Sequence, residues 1–180
     1  MLAKKLLTLA CAAGILALGA CFLPPPAVHR PPPPRIDLHG IRRICVTASN
    51  KSESHHLNAR YLAPSIAASI DSRVDDRILR ASAACESSND GALQIDILSE
   101  SAAPQENPAS SGSVRWSVAV TLNATLTDRE GAVVWRADNF EFRSPAPLPG
   151  LDAESMWRTR EGQIEYLLAN RLATRFLHGD

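Results

Sequence analysis

The chain has 180 residues, with 19 Lys plus Arg against 19 Asp plus Glu, and 45% of its residues are apolar. That length suits one ordinary domain with appendages, and an apolar share this high beside 21% charged residues excludes both a wholly disordered chain and a polyelectrolyte. Zero formal net charge argues against a general nucleic-acid binder, which needs a basic excess to displace counterions from phosphates.

Residues 1–20 read as an address and not as part of the fold. Lys4 and Lys5 precede an apolar run from Leu6 to Leu18, broken only by Thr8 and Gly14. As a helix that run spans roughly 20 Å, too short for a hydrocarbon core about 30 Å thick, so it fits a signal peptide. Leu18-Gly19-Ala20-Cys21 closes it and resembles a bacterial lipobox, in which the Cys21 thiol is acylated before cleavage. The bland alternative is a secretory signal with a chance cysteine. Two or more acyl chains anchor a protein stably, and Phe22 in place of Asp after the cysteine points to the outer membrane. Removing the leader takes away two lysines and no acid, which leaves 17 basic and 19 acidic residues, a net charge of −2.

Residues 21–37 are expected to hold the lipidated cysteine and a linker. Seven of the thirteen prolines fall at Pro24 to Pro26 and Pro31 to Pro34. Such a stretch favours polyproline II at about 3.1 Å per residue, so residues 22–36 make a semi-rigid stalk of roughly 45 Å.

The folded domain is expected over residues 38–180. Ile41 to Ala48 is rich in β-branched residues and predicts a strand. Leu62, Ile66, Ile70 and Val74 recur every four residues, predicting a helix from about Leu57 to Val74 with Pro64 in its first turn. Asp90-Gly91 predicts a turn, and Leu93, Ile95 and Ile97 alternate as a second strand. Residues 99–113, made largely of Ser, Ala, Pro, Asn and Gly, predict a flexible loop. From Val114 to Thr127 apolar and polar residues alternate, Ala119 aside, the mark of a long strand with one buried and one wet face. Asp128-Arg129-Glu130-Gly131 suits a hairpin turn with glycine in the left-handed region, and Val133 to Arg143 returns as its partner. Pro145, Pro147 and Pro149 end that strand. A helix of roughly 25 residues follows, capped by Asp152, striped by Trp157, Ile164, Leu167, Leu168, Leu172 and Phe176, and stopped at Gly179. The economical packing is α+β, a two-layer sandwich: a four-stranded, mostly antiparallel sheet with two helices on one face, in the order β-α-β-β-β-α.

No nucleophile elbow, phosphate loop, dinucleotide fingerprint or C-x-x-C occurs, so no enzyme, metal site or cofactor is expected beyond the covalent lipid at Cys21. Adjacent His55 and His56 lack a third ligand. Two cysteines remain in the mature chain, Cys45 and Cys85. They are a candidate disulfide that an oxidising periplasm permits; otherwise Cys45 is a small core residue and Cys85 a loop thiol.

Several stretches together resemble the lipopolysaccharide-assembly lipoprotein family, LptE. They are Ile41 to Thr47 before a polar loop and helix, the strand Val114 to Thr127, the hairpin LTDREGAVVW, Asn139-Phe140-Glu141-Phe142-Arg143, and the long final helix. The resemblance covers residues 38–178. It implies an outer-membrane lipoprotein, facing the periplasm, that plugs an LptD-type β-barrel, assists that barrel's assembly and contacts lipopolysaccharide on its way to the outer leaflet. On that reading Arg115, Arg136 and Arg143 are candidate contacts for anionic lipid, against the plain alternative of solvated strand arginines. The Ser/Pro-rich stretch at 99–113 and the proline stalk depart from the family pattern. An envelope accessory lipoprotein of a peptidoglycan synthase or of an ABC-type lipid transporter would share the same anchor and linker.

Overall fold

The computed structural model describes residues 37–105 and 114–179. The leader, Cys21, the linker before residue 37 and residues 106–113 lie outside the described residues. In chain order the elements are β1 (Arg43–Asn50), α1 (Ala59–Asp71), β2 (Arg80–Ser82), β3 (Gly91–Gln105), β4 (Arg115–Asp128), β5 (Val133–Arg143), β6 (Leu148–Pro149) and α2 (Ala153–His178).

The architecture is α+β, with the main elements in the expected β-α-β-β-β-α order and two short strands added. The sheet runs β2-β1-β3-β4-β5, with β6 paired to β4 beyond the end of β5. β1 lies parallel to β2 and to β3; β4 is antiparallel to β3, β5 and β6. The additions are β2 and β6, whose three and two residues are too short to show a period.

Alternation in β4 translates directly into packing. Val118, Val120, Leu122, Ala124 and Leu126 are all 0% exposed, while the residues between them are partly open. The helices cover that face. Leu62, Ile66 and Ile70 of α1 and Ile164, Leu168 and Leu172 of α2 complete one continuous core with Leu93, Ile95 and Ile97 of β3. Each such side chain removed from water contributes about 1.5–3 kcal/mol before entropy is charged against it.

Three expectations about boundaries need correction. Helix α1 starts at Ala59 because Asn58 caps it, its side chain accepting the Arg60 N–H at 3.0 Å. Pro64 therefore stands in the second turn, at an exposed position, where its missing N–H forgoes a single intrahelical bond. The helix also stops at Asp71, short of Val74, and the Asp71 carboxylate instead accepts the Ala81 N–H at 2.7 Å, holding β2 in place.

Residues 99–105 are strand and not loop. Ser99 to Gln105 pair with Thr121 to Arg115, after a register shift between Ile97 and Ser99. That bulge inserts Leu98 and reverses which residues face the helices. Before it Leu93, Ile95 and Ile97 point inward; after it Glu100 and Ala102 stand opposite buried Val120 and Val118. The Glu100 carboxylate accepts the side chains of Asn50, Ser52 and Ser54 and the N–H groups of His56 and Leu57, at 2.8–3.0 Å. The β1–α1 connection is thus clamped to the sheet.

A second shift opposes Asp138 and Asn139 to Asn123. Asn139 takes a left-handed φ of 51° and donates its N–H to the Asn123 side-chain oxygen at 2.8 Å. Asparagine tolerates that conformation better than most residues. In the β4–β5 hairpin Gly131 has φ 84°, and Asp128 accepts the N–H groups of Glu130 and Ala132. Helix α2 is closed at both ends: Asp152 and Ser155 form a reciprocal cap, and Gly179 ends the helix at φ 77°. Cys45 of β1 and Cys85 are joined as a disulfide, with Cα atoms 5.0 Å apart, which ties the β2–β3 connection to the sheet.

Candidate functional site

With both helices on one side, the other face of the sheet is left open, and polar side chains line it. Gln94, Asp96, Thr121, Asn123, Thr125, Arg136, Glu141 and Arg143 occupy it by register. Asp96 is its most elaborately bonded group, accepting from Ser49 at 2.6 Å, Lys51 at 2.7 Å and Gln94 at 3.2 Å. Burial pushes the Asp96 carboxyl up, but those hydrogen bonds and the Lys51 charge outweigh it and hold it below the usual carboxylate range.

The three arginines expected to meet anionic lipid share this face without converging. Arg115, Arg143 and Arg136 stand opposite Pro149, Ala119 and Thr125. At about 3.3 Å per residue along β4 they spread over roughly 33 Å. Arg136 is paired with Asp138 and Arg143 with Glu141, each at 2.6 Å on its own strand. Exposed pairs of this kind are worth about 0–1 kcal/mol and separate readily. Arg115 has no ion pair or hydrogen bond among the described residues.

Arg143 does line a crevice together with two other arginines, at the edge of the sheet. The crevice, of about 440 Å³, opens between the end of β5, the outer side of α2 and the segment after α1. Its walls are Arg73, Glu141, Phe142, Arg143, Pro145, Leu167, Asn170, Arg171 and Thr174. Arg73 is held in place by the Ser69 carbonyl at 2.7 Å and the Asn170 side-chain oxygen at 2.5 Å. Arg171 is exposed and makes no ion pair or hydrogen bond among the described residues. Phe142 is buried and Leu167 half-buried, so the floor is apolar. Sequence reading picked out neither Arg73 nor Arg171 as a site residue, because nothing local marks residues so far apart in the chain as neighbours.

A smaller hollow of about 320 Å³ lies at the far end of α2, lined by Asp37, His39, Val134, Trp135, Phe176, His178 and Gly179. Among the described residues no three His, Cys, Asp or Glu gather as metal ligands. His55 and His56 diverge: His55 is exposed, whereas the His56 ring stacks on Trp157 with centroids 4.8 Å apart. No described helix is long and apolar enough to cross a membrane.

One further group is unusual. Glu165 lies on the buried side of α2, 6% exposed, with one carboxylate oxygen lacking any partner among the described residues. Burial and then the neighbouring Glu161 push its carboxyl up to about 7, although the Asn58 backbone N–H pulls the other way.

No family model matches the chain, and no curated protein matches it in sequence. Solved structures align with most of its length at low identity. A Xanthomonas campestris protein of the DUF330 family is 15% identical, with 84% of this chain and 92% of that one covered at a TM-score of 0.48. PelC from Paraburkholderia phytofirmans, a dodecamer, is 14% identical over 81% of this chain and 94% of that one, at 0.46. An uncharacterised lipoprotein B from Nitrosomonas europaea is 18% identical over 76% and 80%, at 0.38. At such identities neither ligand nor partner carries over.

Proposed function

We propose that this chain is an envelope lipoprotein held in the outer membrane, on its periplasmic face, by acyl chains on Cys21. Its domain acts without catalysis, as a wedge that plugs an LptD-type barrel, assists that barrel's assembly and takes part in lipopolysaccharide transport. The observation that carries this reading is the open polar face of the sheet, running from Gln94 and Asp96 on β3 across Thr121, Asn123 and Thr125 on β4 to Arg136 on β5. A barrel lumen is polar, and a two-layer domain that buries one sheet face and offers the other to water matches such a lining. The leader, the cysteine after Leu18-Gly19-Ala20 and the proline-rich sequence that follows it support the anchor and a spacer.

Purification of the natural, acylated protein from detergent-solubilised membranes tests the reading. A stable complex with a large outer-membrane β-barrel is expected. Recovery with an inner-membrane synthase or permease would replace the plug by an accessory role.

A further inference from the structure

We propose that the crevice between β5 and α2 binds a phosphate monoester carried on a short apolar stem. Three arginines and one glutamate face it, a net charge of +2. A phosphate monoester carries about −1.5 to −2 near neutral pH, so charge and counter-charge match. Guanidinium forks suit phosphate oxygens because they donate two parallel N–H bonds. The three arginines are also in different states of readiness. Arg73 is fixed by Ser69 and Asn170, neither of which is charged, so its positive charge is not neutralised. Arg171 has no partner to give up among the described residues, and Arg143 has only the exposed Glu141 pair to exchange. Phe142, Pro145 and Leu167 supply an apolar wall beside them. About 440 Å³ is at the lower end of the roughly 300–1,000 Å³ range of small-molecule sites, enough for a headgroup and a few carbons. The assignment deepens the anionic-lipid part of the proposed function but stands whether or not the partner is a barrel.

The test uses the full chain carrying Cys21→Ser, so that no acyl group competes, and titrates it by NMR and calorimetry with inorganic phosphate, hexyl phosphate and hexanol. Hexyl phosphate should bind at least tenfold tighter than either of the others, with shift changes confined to residues 141–145 and 167–174 and to Arg73. Arg171→Gln and Arg143→Gln should each weaken it about tenfold or more, the expected loss of one charge-assisted bond, with melting temperatures unchanged. Arg136→Gln, on the open face, should bind as the parent does. Equal affinity for inorganic phosphate would overturn the apolar stem. Equal affinity for hexanol, shifts elsewhere, or indifference to both arginine changes would overturn the site. Because no membrane partner is present, failure here is distinguishable from failure of the plug reading.

Discussion

Replacing Glu165 by Gln should make the protein more stable above neutral pH and leave it almost unchanged in acid. Burial, then repulsion from Glu161, raises the Glu165 carboxyl from its ordinary 4.5 to about 7. The folded state therefore favours the protonated form. Below pH 4.5 both folded and unfolded chains hold the proton, and nothing is lost. Between 4.5 and about 7 the unfolded chain has released a proton that the folded chain keeps, so stability falls as pH rises. Above 7 the loss is complete. At about 1.4 kcal/mol per pH unit it amounts to roughly 3 kcal/mol, or on the order of 10 °C in melting temperature for a domain this size. Gln keeps the shape and never ionises. Urea denaturation of both proteins at about pH 3.5 and about pH 8.5 measures the difference directly: near zero at the first, about 3 kcal/mol in favour of Gln at the second. Parallel stability curves across that range would refute the reasoning, and so would a Gln variant less stable than the parent at pH 8.5.

Other expectations follow from single groups. Glu100→Ala should cost about 2–4 kcal/mol by urea denaturation and speed hydrogen exchange at the His56 and Leu57 amides, because five donors lose one acceptor; protected amides would show that the connection is held by something else. Val120→Asp places an unpaired carboxylate at a position 0% exposed, and should abolish the cooperative melt. An unchanged melt would mean that this sheet face is open. Cys45 and Cys85, 40 residues apart, should appear linked in non-reduced peptide maps of the exported protein. Their replacement by a Ser pair should cost up to about 4 kcal/mol in the chain-entropy account, and two free thiols in the map would contradict the bond.

What the residues reveal on their own depends on whether a rule is local. Strand β4 was legible because alternation over its whole length needs no partner to be seen, and α2 because Asp152 and Gly179 mark its ends chemically. The second half of β3 was hidden by its own bulge: once Leu98 reverses the parity, SESAAPQ no longer alternates in step with LQIDI. β2 and β6 are too short to show a period at all. Asn139 stood out only as part of a familiar string, and its reason, a left-handed bulge facing Asn123, is visible only in three dimensions. Glu165 could have been noticed, since it lies one turn from Ala169 and two from Leu172 on the buried side of α2. The crevice could not: Arg73, Arg143 and Arg171 each sit on an unremarkable stretch of chain, and only the folding of β5 beside α2 joins them.

Acylation at Cys21 is the claim on which an envelope role rests most heavily, and intact-mass spectrometry of the natural protein, extracted from washed outer membranes, tests it most directly. The expected product begins at Cys21 and carries a diacylglyceryl group with a further acyl chain on its nitrogen. A chain that still begins at Met1, or a Cys21 free of lipid, would contradict it.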